Sequence, residues 1–233
     1  MSRLTAPARR PDRLRRWTAT AVAALGLVAG GCATSPAIVA GAGGIVAEAR
    51  AMPYFTELHV GGAYDVQVLA GSTPDVTLYT DASLLPYIET SITKDTLSIG
   101  TQRGTTLQPS RPPRLDIFTW RLADLTATGT GTLAASQISG DAFTARFGGA
   151  GRATLSGAVR HLTIEVTGVA DVDARRLPAD LVDVVIAGVG QVAVDARDQL
   201  TATISGTGQV SYAGQPREII QHITGSGEIL PAP

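Results

Sequence analysis

An alternation of apolar and polar positions restarts every 18–20 residues along most of the chain. From Ala123 onward, Gly129, Gly149, Gly168, Gly188, Gly206 and Gly225 follow one another at spacings of 20, 19, 20, 18 and 19. Six, four and two residues before them stand Ala123, Leu125 and Ala127; Phe143, Ala145 and Phe147; Leu162, Ile164 and Val166; Val182, Val184 and Ile186; Leu200, Ala202 and Ile204; and Ile219, Gln221 and Ile223. Four and six residues after them stand Leu133 and Ala135, Ala153 and Leu155, Val172 and Ala174, Val192 and Val194, Val210 and Tyr212, and Ile229 and Pro231. The positions between are mostly Thr, Asp, Arg, Glu and Ser. Period two on both sides of a glycine marks two strands, each with one buried face.

Each repeat therefore reads as strand, Gly-x-small corner, strand and a looser return. One such coil cannot bury its own apolar face. Stacked coils share a continuous core, with neighbours about 4.8 Å apart. Glycine at the corner answers a need for unusual φ or for close backbone approach. There is no helix signal, and the Leu and Asn pattern of leucine-rich repeats is missing. A β-sandwich, the competing fold, gives no reason for six corners in register. The expected fold is all-β, a parallel β-helix (β-solenoid) with 18–20-residue coils, eight or nine of them.

The N-terminal part follows the scheme loosely. Gly62 has Leu58 and Val60 before it and Val66 and Val68 after it. Apolar runs follow at 76–79, 84–88 and 96–99. Residues 100–113 read as a loop, and residues 114–118 resume as a strand. Terminal repeats of an array are commonly irregular.

The charge is unevenly placed. Six of the 19 basic residues and one of the 20 acidic residues lie in residues 1–31, so the rest carries 13 against 19. An acidic body does not attract phosphate backbones, so no nucleic-acid partner is expected. The arginines precede an apolar stretch from Trp17 to Gly30, the n-region and h-region of a secretory signal. Ala29-Gly30-Gly31-Cys32 resembles a bacterial lipobox, which implies acylation of Cys32, the only cysteine. Acyl chains anchor at about 0.8 kcal/mol per buried CH₂. Ala33 after the cysteine resembles the signal for an outer-membrane destination. The expected organisation is a signal peptide at 1–31, acylated Cys32 with a flexible tether at 32–51, and a domain at 52–230. Residues 45–50 read as one helical turn or more within the tether.

Little in the chain promises catalysis. His59, His161 and His222 are scattered, with no ligand spacing among them. The Gly-x-Gly pairs lead into strands, unlike a dinucleotide fingerprint, and Lys94 has no glycine-rich loop before it. Asp171 and Asp173, two apart on a strand, point outward, as does Asp183, with Asp195 just past a second strand. Equivalent positions elsewhere hold Thr132, Arg152, Gln191 and Gln209, whereas a calcium repeat would place an acid in every coil. No metal, cofactor or catalytic residue is expected. The alternative is a carbohydrate-active enzyme using Asp171, Asp173 or Asp183, which would need a carboxylate pair across a groove. The residues before the corner glycines (Thr128, Gly148, Thr167, Ala187, Ser205 and Thr224) form a Thr/Ser row that packs across strands or meets a ligand.

The run Phe55-Thr-Glu-Leu-His-Val-Gly-Gly-Ala-Tyr-Asp-Val-Gln-Val68, then Leu84-Leu85, then Thr96-Leu97-Ser98-Ile99, then the Gly-x-Gly coils, resembles the head GIN domain family (DUF2807). That family is described as an auto-transporter adhesin domain. The resemblance spans roughly residues 52–230. It implies a right-handed single-stranded β-helix on an exported bacterial protein, and it carries no catalytic residues. The expected function is a lipid-anchored, non-enzymatic binding or structural module of the cell envelope. Its expected partners are the membrane, through the lipid, and a glycan or protein ligand. A homo-oligomer through a solenoid end is a further expectation, because solenoid ends expose strand edges.

Overall fold

The structure, a computed structural model, describes residues 36–232. The expected signal peptide at 1–31 and Cys32 lie outside the described residues. Of the described residues 73% are in strands, and they form a β-solenoid. In chain order the strands are β1 (Ala37–Ala40), β2 (Ile45–Ala51), β3 (Glu57–Val60), β4 (Asp65–Ala70), β5 (Asp75–Asp81), β6 (Ile88–Thr93), β7 (Thr96–Thr101), β8 (Thr105–Gln108), β9 (Arg114–Thr119) and β10 (Asp124–Ala127). The long strands β11 (Thr130–Phe147), β12 (Ala150–Val166), β13 (Val169–Ile186) and β14 (Val189–Ile204) follow, and β15 (Thr207–Ala213), β16 (Glu218–Ile223) and β17 (Ser226–Pro231) close the series.

Two parallel ladders meet at the glycine corners. The first stacks β7, β3, β10, the C-terminal halves of β11 to β14, and β16. The second stacks β9, β4, the N-terminal halves of β11 to β14, β15 and β17. The period-two apolar positions face inward as their spacing requires. Phe143, Leu162, Ile164, Val166, Val182, Val184, Leu200 and Ile204 are all 0–1% exposed. The return segments add Ile138, Val159, Leu177 and Ala196 to the same core.

The solenoid makes about five turns, which corrects the expectation of eight or nine coils. The difference lies in the N-terminal strands, which stack out of chain order. The coil made by β3 and β4 sits between β10–β11 on one side and β7 and β9 on the other. After β9 the chain passes back over that coil to begin β10. Thr119, buried at the end of β9, pins this crossover by donating its hydroxyl to the Phe55 carbonyl at 2.8 Å. The Ala123 amide then bonds the Thr56 carbonyl at 2.8 Å.

Antiparallel strands finish the N-terminal end. β6 pairs with β7 on the first ladder, and β5 pairs with β9 and then β2 with β5 on the second. Residues 45–51 are thus a strand and not a helical turn, so sheet pairing reaches into the segment read as a tether. Residues 105–108, within the expected loop, form β8 and pair with β1.

Candidate functional site

The corner glycines position everything on the outer surface. A methyl group on Gly149 would lie 1.7 Å from the Gly129 carbonyl oxygen. On Gly168 or Gly188 it would lie 2.1 Å, and on Gly206 or Gly225 2.0 Å, from the glycine oxygen of the preceding coil. Each such oxygen also accepts an amide of the next coil, as Gly149 accepts from Val169 at 2.8 Å. None of these six glycines has a positive φ. Their requirement is therefore close approach and not unusual backbone conformation, of the two reasons that favour glycine there.

Just past the corners, the second ladder carries a groove that runs along the solenoid axis, with a volume of about 800 Å³. Its floor is the main chain of one register row, Gly151, Ala170, Gly190, Gly208 and Gly227. One wall is the row Val169, Val189, Thr207 and Ser226. Val169 and Val189 are 55% and 50% exposed, unusual for valines in a sheet this regular. The other wall is the row Arg152, Asp171, Gln191, Gln209 and Glu228. Five coils at about 4.8 Å give a groove roughly 20 Å long. A smaller extension of about 310 Å³ continues over the polar wall to Thr154, Asp173 and Ser211.

The polar wall is partly self-paired. Arg152 Nε donates to Asp171 at 3.0 Å, and Gln209 Nε2 donates to Glu228 at 2.8 Å. Gln191, between them, is exposed. In the extension, Arg175 donates to Asp173 from Nε at 3.0 Å and from Nη2 at 2.6 Å, and its amide adds a third bond at 3.1 Å. The Arg175 side chain is the main reason the Asp173 carboxyl is held below the usual carboxylate range.

The structure separates the candidate acids. Asp171 and Asp173 lie on the second ladder and are each paired with an arginine. Asp183 lies on the first ladder, where its carboxylate meets His161 Nε2 at 2.6 Å. These three do not form a carboxylate pair facing across the groove. The other histidines are also on the first ladder, His59 beside Thr128 Oγ1 at 3.2 Å and His222 exposed on β16. Among the described residues no group of three or more His, Cys, Asp or Glu is placed to hold a metal ion. The row from Thr128 to Thr224 lies on the first-ladder side of the corners, away from the groove floor.

Sequence reasoning did not single out Val169 and Val189. Their only signal is their place between two small residues in Thr-Gly-Val-Ala and Ala-Gly-Val-Gly, where period two turns an apolar side chain outward.

Comparison with known proteins supplies a family. The family described as "Putative auto-transporter adhesin, head GIN domain" matches residues 54–216. Among solved structures, the chain is similar to a "putative adhesin" from Bacteroides fragilis. That match has TM-score 0.70 and 16% identity, and it covers 83% of this chain and 100% of the other. It is also similar to a "putative lipid binding protein" from Parabacteroides distasonis, with TM-score 0.51 and 19% identity over 84% of this chain and 100% of the other. At such identities the likeness concerns the fold. No curated protein matches the chain.

Proposed function

The chain belongs to the head GIN domain family, and from that premise we propose that it is an exported, lipid-anchored, non-enzymatic binding module of the bacterial cell envelope, adhesin-like in action. Cys32 carries the anchor in this reading, and the outer membrane is its destination. The groove of the second ladder is the binding surface, and an extended glycan strand is the ligand it suits best. A pyranose ring offers one apolar face and a rim of hydroxyls. The groove offers an apolar wall at Val169 and Val189 opposite amide, carboxylate and guanidinium groups at Gln191, Gln209, Asp171 and Arg152. Convergent polar groups beside an apolar surface are the usual make-up of a ligand site.

The non-enzymatic part rests on the acids. A glycosidase needs two carboxylates facing one bond, whereas Asp171 and Asp173 are each tied to an arginine and Asp183 is on the other ladder. An interior lipid site finds little support. The apolar void beside Tyr64 and Phe147 measures about 40 Å³, room for a water or two and not for an acyl chain.

The test is a glycan and envelope-polymer binding screen, with release of reducing ends followed in the same wells. Wild type should bind without release, and Gln191→Ala/Gln209→Ala should weaken binding at least tenfold. Binding untouched by that double variant would remove the groove from the reading. Release abolished by Asp171→Ala/Asp173→Ala would make the protein an enzyme.

A further inference from the structure

A small sheet stands apart from the solenoid ladders. Among the described residues β1 and β8 pair only with each other. One face is turned to the domain, where the register partners Val39 and Leu107 are half-buried and Leu107 packs against the core. The other face carries Ile38, Ala40, Thr106 and Gln108, all exposed, with Ile38 at 65%. One open isoleucine is ordinary on a soluble protein. Its surroundings are not.

From Pro36 to Ala47 the chain holds no charged residue, and Ile45 and Val46 in that run are exposed as well. Residues 100–113, which contain β8, hold two charges, Arg103 and Arg111. They bracket β8, both exposed, and neither has an ion-pair partner among the described residues. These two segments are therefore apolar and cationic on a body that is acidic as a whole. Their mounting is firm. Asp81 on β5 binds the Gly43 amide after β1 and the Ser110 amide and hydroxyl after β8.

Resting on the lipid-anchored reading above, we propose that the outer face of β1–β8 is a membrane-contact surface, with Ile38 set into the lipid interface and Arg103 and Arg111 on lipid phosphates. Chain length chooses this occupant. The pairing of β1 leaves Ala33 to Pro36 between Cys32 and the sheet. The five residue steps from Cys32 to Ala37 reach at most about 18 Å. A headgroup layer is itself about 5–8 Å thick. Acyl chains on Cys32 thus keep the β1–β8 sheet beside the headgroups, without the length to stand off from them. Charge agrees with length. Guanidinium groups recognise phosphate, and their stems lie along apolar surface while the heads stay wet. An apolar face with a basic rim is the composition of an interfacial surface. The acyl chains hold the protein on the membrane, and this second contact fixes how the solenoid is oriented there.

The experiment uses the full chain, exported and purified from a bacterial host, in vesicles of phosphatidylethanolamine and phosphatidylglycerol with brominated acyl chains. Intact mass first reports whether Cys32 is acylated. Cleavage before Cys32 removes Trp17, so Trp120→Phe leaves no tryptophan and a probe can be placed at will. Ile38→Trp in that background should lose at least half its fluorescence to the brominated lipid. Arg197→Trp, on exposed β14, should lose little. Adding Arg103→Glu/Arg111→Glu should reduce the quenching at position 38 at least twofold. An unmodified Cys32 would overturn the anchor and this surface together. An acylated Cys32 with position 38 quenched no more than position 197, or quenching indifferent to the two arginines, would overturn the surface and leave the anchor standing. A doubled protein mass in detergent with position 38 unquenched in vesicles would give the face to a second copy and overturn it too.

Discussion

Ser110 holds both carboxylate oxygens of Asp81, its amide donating to Oδ2 at 2.9 Å and its hydroxyl to Oδ1 at 2.8 Å. The Gly43 amide adds a bond to Oδ1 at 2.7 Å. The Asp81 side chain is fully buried at the end of β5, where it ties the turn before β2 and the segment before β9 to one strand. A buried carboxylate is tolerated here because its oxygens are satisfied by N–H and O–H donors.

Those donors favour the charged form, the Ser110 amide foremost, and hold the Asp81 carboxyl below its ordinary value. A depressed carboxyl contributes stability that is complete above its unfolded value, about 4, and is lost as pH falls through the folded value. Melts of wild type and Asp81→Asn should therefore differ at neutral pH, with wild type higher, and converge on acidification. A gap that persists unchanged far below pH 4 would show that the charge is not what Asp81 contributes.

Glycine substitutions should divide sharply by position. At Gly188 an added methyl meets the Gly168 oxygen at 2.1 Å. The main chain there cannot move without breaking the corner hydrogen bonds, so Gly188→Ala should cost more than about 4 kcal/mol or prevent folding. Around Gly44 there is nothing within 4 Å, and its φ is not positive. Gly44→Ala should stay within about 0.5 kcal/mol of wild type in denaturant titration.

Arg50 joins the two edge strands of the N-terminal end. From β2 it donates Nη1 to the Ile88 carbonyl at 2.9 Å and to Thr90 Oγ1 at 3.2 Å, both on β6, while Nε meets Glu48 at 2.6 Å. Hydrogen bonds from a charged donor contribute about 1.5–3 kcal/mol each, less where water competes. Arg50→Met should speed amide exchange in residues 45–51 and 88–93 by tenfold or more. Exchange in the coils from 143 to 204 should stay as in wild type, because their core does not depend on this latch.

Tyr64 packs under the first corner, with its hydroxyl 3.2 Å from Thr101 Oγ1. Burial raises its phenol above the ordinary value, outweighing the bond to Thr101. A raised acid contributes stability below its unfolded value, about 10, and loses it as pH rises through the folded value. In spectrophotometric titration one of the five tyrosines should ionise late. Tyr64→Phe should remove that late step and make the melting temperature less sensitive to pH above 10.

The repeat was legible because its information is local. Leu162, Ile164 and Val166 declare a buried face by period two, and Gly168 declares the corner two residues later. Coils of equal length then bring like positions into register, so the core of β11 to β14 follows directly from spacing. The corner glycines were legible as positions, while their reason needed coordinates. Period and composition cannot distinguish an unusual φ from a carbonyl oxygen 2 Å away.

Tertiary structure alone decided the rest. Period two says which face of a strand is buried and is silent on which neighbour it pairs with. Leu97 and Leu115 therefore read as core, but nothing local places β7 and β9 outside β3 and β4. That order is held by pairings between strands far apart in the chain, and by Thr119 reaching back 64 residues to Phe55. The groove is of the same kind. Gly190, Val189 and Gln191 are adjacent in the chain, yet floor and walls exist only because five coils stack these positions at one strand spacing.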